Sequence, residues 1–144
     1  MTKAEAYVNA WRLGFKGDYS LVDEIYHPDY SALDRTTGVE VNLASEKVII
    51  ATISELITLG PFRTIYDDYN FLIIDWWAKS ILSGEPHYNF TFTAVTFRDK
   101  KILTQESMTD RSDQDPSEGQ DWNGKITSAQ VGTPSPSEDS TGGA

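Results

Sequence analysis

The chain has 144 residues and no cysteine. Disulfide frameworks, thiolate nucleophiles and cysteine-ligated metals are therefore excluded together. Cations are also scarce. Twelve Lys+Arg face 22 Asp+Glu, for a formal net charge of −10. A general nucleic-acid binder, or a protein held on an anionic membrane surface, needs the opposite balance. No run approaches the roughly 20 apolar residues of a membrane-spanning helix, and Met1-Thr2-Lys3-Ala4-Glu5 lacks the profile of a signal peptide. His27 and His87 are the two histidines and have no second-ligand spacing, so no metal site is expected. A glycine-rich phosphate loop, a Gly-x-Ser-x-Gly elbow and a Ser-His nucleophile pair are missing too. These absences imply no cofactor, no nucleic acid and no membrane. A soluble cytoplasmic protein is expected, with 39% hydrophobic residues to fill one sizeable core.

What is present divides into a body, residues 1–111, and a tail, residues 112–144. The tail is rich in Ser, Gly, Pro and acids, with six acidic residues against Lys125, and holds half of the net charge. Only Trp122, Ile126 and Val131 could anchor it. So little apolar surface cannot offset the entropy of ordering, and the tail reads as disordered. A partner-binding peptide centred on Asp121-Trp122-Asn123 is the alternative.

In the body, Tyr7, Trp11 and Phe15 recur at four-residue spacing within residues 3–16, which puts three aromatics on one helix face. Gly17 closes this helix, and Asp18 or Ser20 caps a short second one through Tyr26. His27-Pro28 stops it. Residues 30–34 read as a short strand, followed by the polar turn Arg35-Thr36-Thr37-Gly38. A third helix starts at Ser45, carries Val48, Ile49, Ile53, Leu56 and Ile57, and ends at Gly60-Pro61. Four strands follow over residues 63–71, 74–83, 87–98 and 101–110, with turns at 83–86 and 98–101. The break near Ile73-Ile74-Asp75 has only the aspartate as a turn residue. The fold class is α+β: three N-terminal helices packed on a mostly antiparallel sheet.

Strand alternation sorts the faces. Asn89, Thr91 and Thr93 share one side, and Tyr88, Phe90 and Phe92 the other. Pairing Phe97 with Ile102 across the last hairpin adds Thr104, Glu106, Met108 and Asp110 to the polar side. Trp76 and Ala78 alternate with Trp77 and Lys79 on the preceding strand. The helices could cover the aromatic side and leave the polar side in water. They could instead roof the polar side as a pocket, leaving the aromatics to a second subunit. Alternation leaves both arrangements open.

Lys16-Gly17-Asp18-Tyr19, Tyr26-His27-Pro28-Asp29-Tyr30 and the hairpin Phe97-Arg98-Asp99-Lys100-Lys101-Ile102 occur in the order helix, helix, short strand, helix, meander. In that order the body resembles the nuclear transport factor 2-like superfamily, within it the SnoaL-like polyketide cyclases and ketosteroid isomerases. The resemblance implies a strongly curved sheet, a cone-shaped cystatin-like α+β barrel, with helices over the concave polar face and a pocket at its wide end. It implies Tyr7, Trp11, Phe15, Tyr30, Ile53, Trp76, Ala78, Asn89, Thr91, Thr93, Glu106 and Met108 as pocket residues.

Asp34 matches the isomerases' general base, and Tyr7 falls near their oxyanion-stabilising tyrosine. Thr93 stands where they carry a protonated aspartic acid, a far stronger donor to a developing enolate. Asp110 stands near the late acid of the cyclases, and Glu106 precedes it on the same face. The Asp-Arg-Asp set of a limonene epoxide hydrolase is lacking, since only Lys79 is near the arginine position. The implied function is cofactor-free acid–base chemistry on a small, largely apolar carbonyl compound. A non-catalytic ligand-binding or dimerising module of the same fold remains the alternative. The Tyr88, Phe90 and Phe92 stripe implies a homodimer.

Overall fold

Thr2 opens the first helix with a reciprocal cap. Its hydroxyl accepts from the Glu5 N–H at 3.0 Å, and the Glu5 carboxylate accepts from the Thr2 N–H at 2.9 Å. The computed structural model describes residues 1–117, 119, 120 and 122. The expected disorder of the tail lies outside the described residues from Asn123 onward, as do Asp121 and Asn123 of the alternative reading.

Helix α1 spans Lys3–Gly14 and α2 spans Ser20–Ile25. Gly17 lies between them at φ +93°, a conformation natural to glycine, and the chain turns there. Strand β1 spans Tyr26–Asp34, starting four residues earlier than expected and running through Pro28. After the turn at Gly38 (φ +78°) comes β2, Val39–Asn42, a strand the sequence reading did not include. Asn42 caps α3, Leu43–Ile53, by accepting from the Ser45 N–H at 2.9 Å.

The third helix does not reach Gly60-Pro61. A 3-10 turn over Ser54–Leu56 ends it, and β3, Ile57–Asp68, runs through the glycine and proline. Strands β4 (Phe71–Leu82), β5 (Glu85–Arg98) and β6 (Lys101–Ser112) complete the sheet. The β3–β4 turn falls at residues 69–70, so Ile73-Ile74-Asp75 is continuous strand. The two later hairpins turn on Ser83-Gly84 and Asp99-Lys100, all four at positive φ. Two-residue loops of this hand match the twist of the strands they join.

The strand order is β2-β1-β6-β5-β4-β3. All pairs are antiparallel except β1 with β6, where the first strand lies beside the last. The inner face of the sheet is defined by what touches α1. Val8, Ala10 and Trp11 join Val22, Tyr26, Leu72, Ile74, Val95 and Ile102 in one buried cluster. Each large apolar side chain so buried contributes about 1.5–3 kcal/mol before the entropy of ordering is subtracted.

Candidate functional site

On the uninterrupted strands β4 and β5, alternation places side chains as expected. Trp76 pairs with Thr91, Ala78 with Asn89 and Ile74 with Thr93, all on the inner face with Leu72 and Val95. Trp77 pairs with Phe90 and Asp75 with Phe92 on the outer face. The threonine side therefore lies beneath α1, and the phenylalanine side faces away.

Strand β6 departs from the expectation. Phe97 does pair with Ile102, but Thr96 pairs with Thr104, so Leu103 is an extra residue. One inserted residue reverses the facing of everything beyond it. Gln105, Ser107 and Thr109 point inward, opposite Val95, Thr93 and Thr91. Glu106, Met108 and Asp110 lie on the outer face, opposite Ala94, Phe92 and Phe90. Glu106 is exposed and pairs with Arg35 at 3.1 Å, and Met108 is 59% exposed. The structure does not bring these three to the pocket.

The inner face and the helices line an open pocket of about 170 Å³. Tyr7, Trp11 and Phe15 line it from α1 and the residue after it, with Trp76, Ala78, Thr91 and Thr93 from the sheet, as the sequence suggested. Ile50, Leu59, Gln105 and Ser107 also line it, together with Glu46 from α3. Asn89 shares the face but lies beyond the lining, and Ile53 lies at the end of α3. Asp34 also shares the inner face, paired with Ser107 across the parallel ladder. One of its carboxylate oxygens accepts from the Thr36 N–H at 2.9 Å, which ties it to the turn. A larger cavity of about 730 Å³ lies elsewhere, beside Lys3, Ile25, Tyr69, Phe97 and Lys100. Asn70 and Asp99 line it as well, and Lys3 is paired with Asp67 at 2.6 Å.

Glu46 is the acid that the sequence reading missed. It sits in the first turn of α3, where an acid reads as a complement to the helix dipole. The available signal was its place in the series Leu43, Glu46, Ile50, Ile53, spaced like an apolar stripe. Tyr30 donates to its Oε1 at 2.7 Å. Burial raises the Glu46 carboxyl above the ordinary range, and the Tyr30 hydrogen bond opposes that rise. Among the described residues Glu46 makes no ion pair, and neighbouring Lys47 is paired with Asp23.

A chain of aromatic hydroxyls surrounds this carboxyl. Trp11 Nε1 donates to the Tyr26 hydroxyl at 2.6 Å, and Tyr7 donates to Gln105 Oε1 at 3.0 Å. The Tyr26 and Tyr30 rings meet edge to face at 4.5 Å. Burial raises all three tyrosines, so each is a neutral hydrogen-bond group. Trp76 Nε1 donates to the Gly60 carbonyl at 2.8 Å, and the Arg12 guanidinium holds the carbonyls of Leu59 and Gly60. Burial lowers Arg12 to about 10.

Ser117 and Trp122 extend the order past β6. Lys79 Nζ donates to Ser117 Oγ at 3.0 Å, and the Trp122 ring lies against Gly60. Among the described residues no three His, Asp or Glu side chains gather as a metal site. No helix there is long and apolar enough to cross a membrane.

No protein-family model matches the chain, and no curated protein matches it in sequence. Solved structures do match it in shape. Wild-type IdmH, a candidate polyketide cyclase of Streptomyces antibioticus, superposes with a TM-score of 0.60 at 14% identity, covering 76% of this chain and 93% of its own. TerC, co-crystallised with polyporic acid, gives 0.55 at 17% identity, covering 73% of this chain and 92% of its own. A protein of Catenulispora acidiphila with a ketosteroid isomerase-like fold, in complex with trimethylamine, gives 0.55 at 14% identity over 88% of this chain and 100% of its own. Likeness at this level of identity is likeness of architecture, and the architecture of this chain is the nuclear transport factor 2-like fold.

Proposed function

We propose that this protein holds a small, largely apolar molecule in the cavity beneath α1 and that Glu46 is the acid–base group that exchanges a proton with it. The observation that carries the reading is a carboxyl lining an aromatic cavity, oriented by Tyr30, raised by burial and, among the described residues, balanced by no cation. A carboxyl raised by desolvation is suited to proton transfer near neutral pH. Structures of the same fold with polyporic acid and with trimethylamine support a small-molecule occupant.

Asp34 keeps a place in this proposal as a second acid on the inner face, at the rim of the β1 turn. Tyr7 directs its hydrogen to Gln105, so towards the cavity it offers an oxygen lone pair. This favours Glu46 over Tyr7 as the working group. The same observation supports a second reading, a binding module without chemistry.

Native mass spectrometry of the purified chain is expected to show a retained small molecule. That molecule should be converted by the wild type and recovered unchanged from Glu46→Gln. Recovery unchanged from both proteins would select the binding module, and conversion by both would remove Glu46 from the mechanism.

We also propose a homodimer through the outer sheet face, where Trp77, Phe90 and Phe92 form an aromatic ridge.

A further inference from the structure

The rings around the cavity direct their hydrogens into the protein. Tyr7 donates to Gln105, Trp11 to Tyr26 and Trp76 to the Gly60 carbonyl. What these groups leave for a ligand is a phenol oxygen and the aromatic rings themselves, whose faces carry the negative lobe of the quadrupole. Glu46 adds a carboxylate that receives one hydrogen bond, from Tyr30. The hydroxyls of Thr91, Thr93 and Ser107 and the Gln105 amide can donate as well as accept. Glu46 is the one charged group among the described lining residues, so the site complements a ligand bearing positive charge.

The neighbouring cations do not meet that demand. Lys47 is paired with Asp23. Arg12 packs over Trp76, with its Cζ at 5.6 Å from the ring, and its charge is held by the carbonyls of Leu59 and Gly60. Trp76 thus already receives one cation, the kind of interaction an aromatic lining offers to a ligand.

We propose that the cavity binds a small organic cation, an ammonium group on a compact apolar body, with Glu46 as counter-ion and Trp11, Trp76 and Tyr7 as walls. This rests on the pocket reading above and adds the sign of the ligand's charge. A volume of about 170 Å³ is close to the roughly 150 Å³ that encloses benzene in an engineered protein core, so an ammonium with four or five carbons fits. A lone carboxylate in a largely apolar site is costly unless a positive charge is brought to it. A neutral ligand brings none. The net charge of −10 draws cations toward the molecule in the same sense. A metal ion is the weaker match, because a single carboxylate supplies too few ligands.

Three compounds of one shape test this at neutral pH: tert-butylammonium, tert-butanol and pivalate. Each is titrated into the full chain while the indole N–H resonances of Trp11 and Trp76 are followed. The ammonium is expected to bind roughly tenfold or more tighter than the alcohol, with pivalate weakest. In Glu46→Gln the ammonium should fall to the alcohol's affinity. Equal binding of ammonium and alcohol by the wild type, or tightest binding of pivalate, overturns the cation assignment and leaves the pocket standing. Resonances unmoved by all three overturn the pocket reading as well.

Discussion

Glu46 can be tested through stability as well as ligand binding. Burial raises its carboxyl in the folded chain relative to the unfolded one. Between those two values the folded state binds more protons than the unfolded state, so stability is fullest at acid pH and falls as pH rises through the window. Glu46→Gln keeps an acceptor for Tyr30 but never ionises. It should lack this decline and, at neutral pH, exceed the wild type by about 1 kcal/mol, a few degrees in Tm. Urea denaturation across the pH series would show the two profiles converging toward acid, and parallel profiles would mean that the carboxylate is not desolvated. Tyr30 works against burial by donating to the charged form. Tyr30→Phe should move the Glu46 midpoint, read by carbon NMR of the carboxyl, further upward.

The strands show where pattern alone suffices and where it fails. β4 and β5 are continuous, so a period of two carried Trp76, Ala78, Thr91 and Thr93 to the correct face. β6 holds two interleaved sets of similar polarity, Thr104, Glu106, Met108 and Asp110 against Gln105, Ser107, Thr109 and Arg111. Neither composition signals which set is buried, and only the extra residue Leu103 decides. The third helix misled in a different way. Val48 and Ile49 read as its apolar stripe but are 66% and 44% exposed, whereas Leu43 and Ile50 pack on the core.

The β6 register has a direct mutational signature. Glu106→Ala removes an exposed ion pair and should cost no more than about 0.5 kcal/mol. Gln105→Ala strands the buried hydroxyl of Tyr7 and should cost about 1–3 kcal/mol. Equal costs would mean that the strand is out of the register described. At β3 the contact is steric: a Cβ on Gly60 would lie 2.8 Å from the Trp122 ring. Gly60→Ala should therefore displace Trp122 and shift its emission to the red, a change absent when Trp122→Phe is added. An unaltered spectrum would place Trp122 elsewhere.

At the scale of the molecule, the two faces of the sheet have different tasks. The inner face supplies core and cavity. The outer face carries Trp77, Phe90 and Phe92 in mutual ring contact, with Phe92 41% and Met108 59% exposed. Its ion pairs, Arg63 with Asp75 and Arg35 with Glu106, neutralise one another. The ridge is therefore an apolar stripe on an electrically balanced patch, although the whole chain carries −10. Two copies meeting there would bury aromatics at the centre while their remaining charges repel at longer range. Hydrophobic burial is little weakened by moderate salt, whereas that repulsion is screened over about 10 Å at 0.1 M. The expected behaviour is a dimer whose dissociation constant falls as salt is raised and which Phe92→Asp returns to monomer. Light scattering across a concentration series would read both effects. A dimer loosened by salt would instead place the interface on charged surface, and a monomer at every concentration would leave the ridge without a second copy.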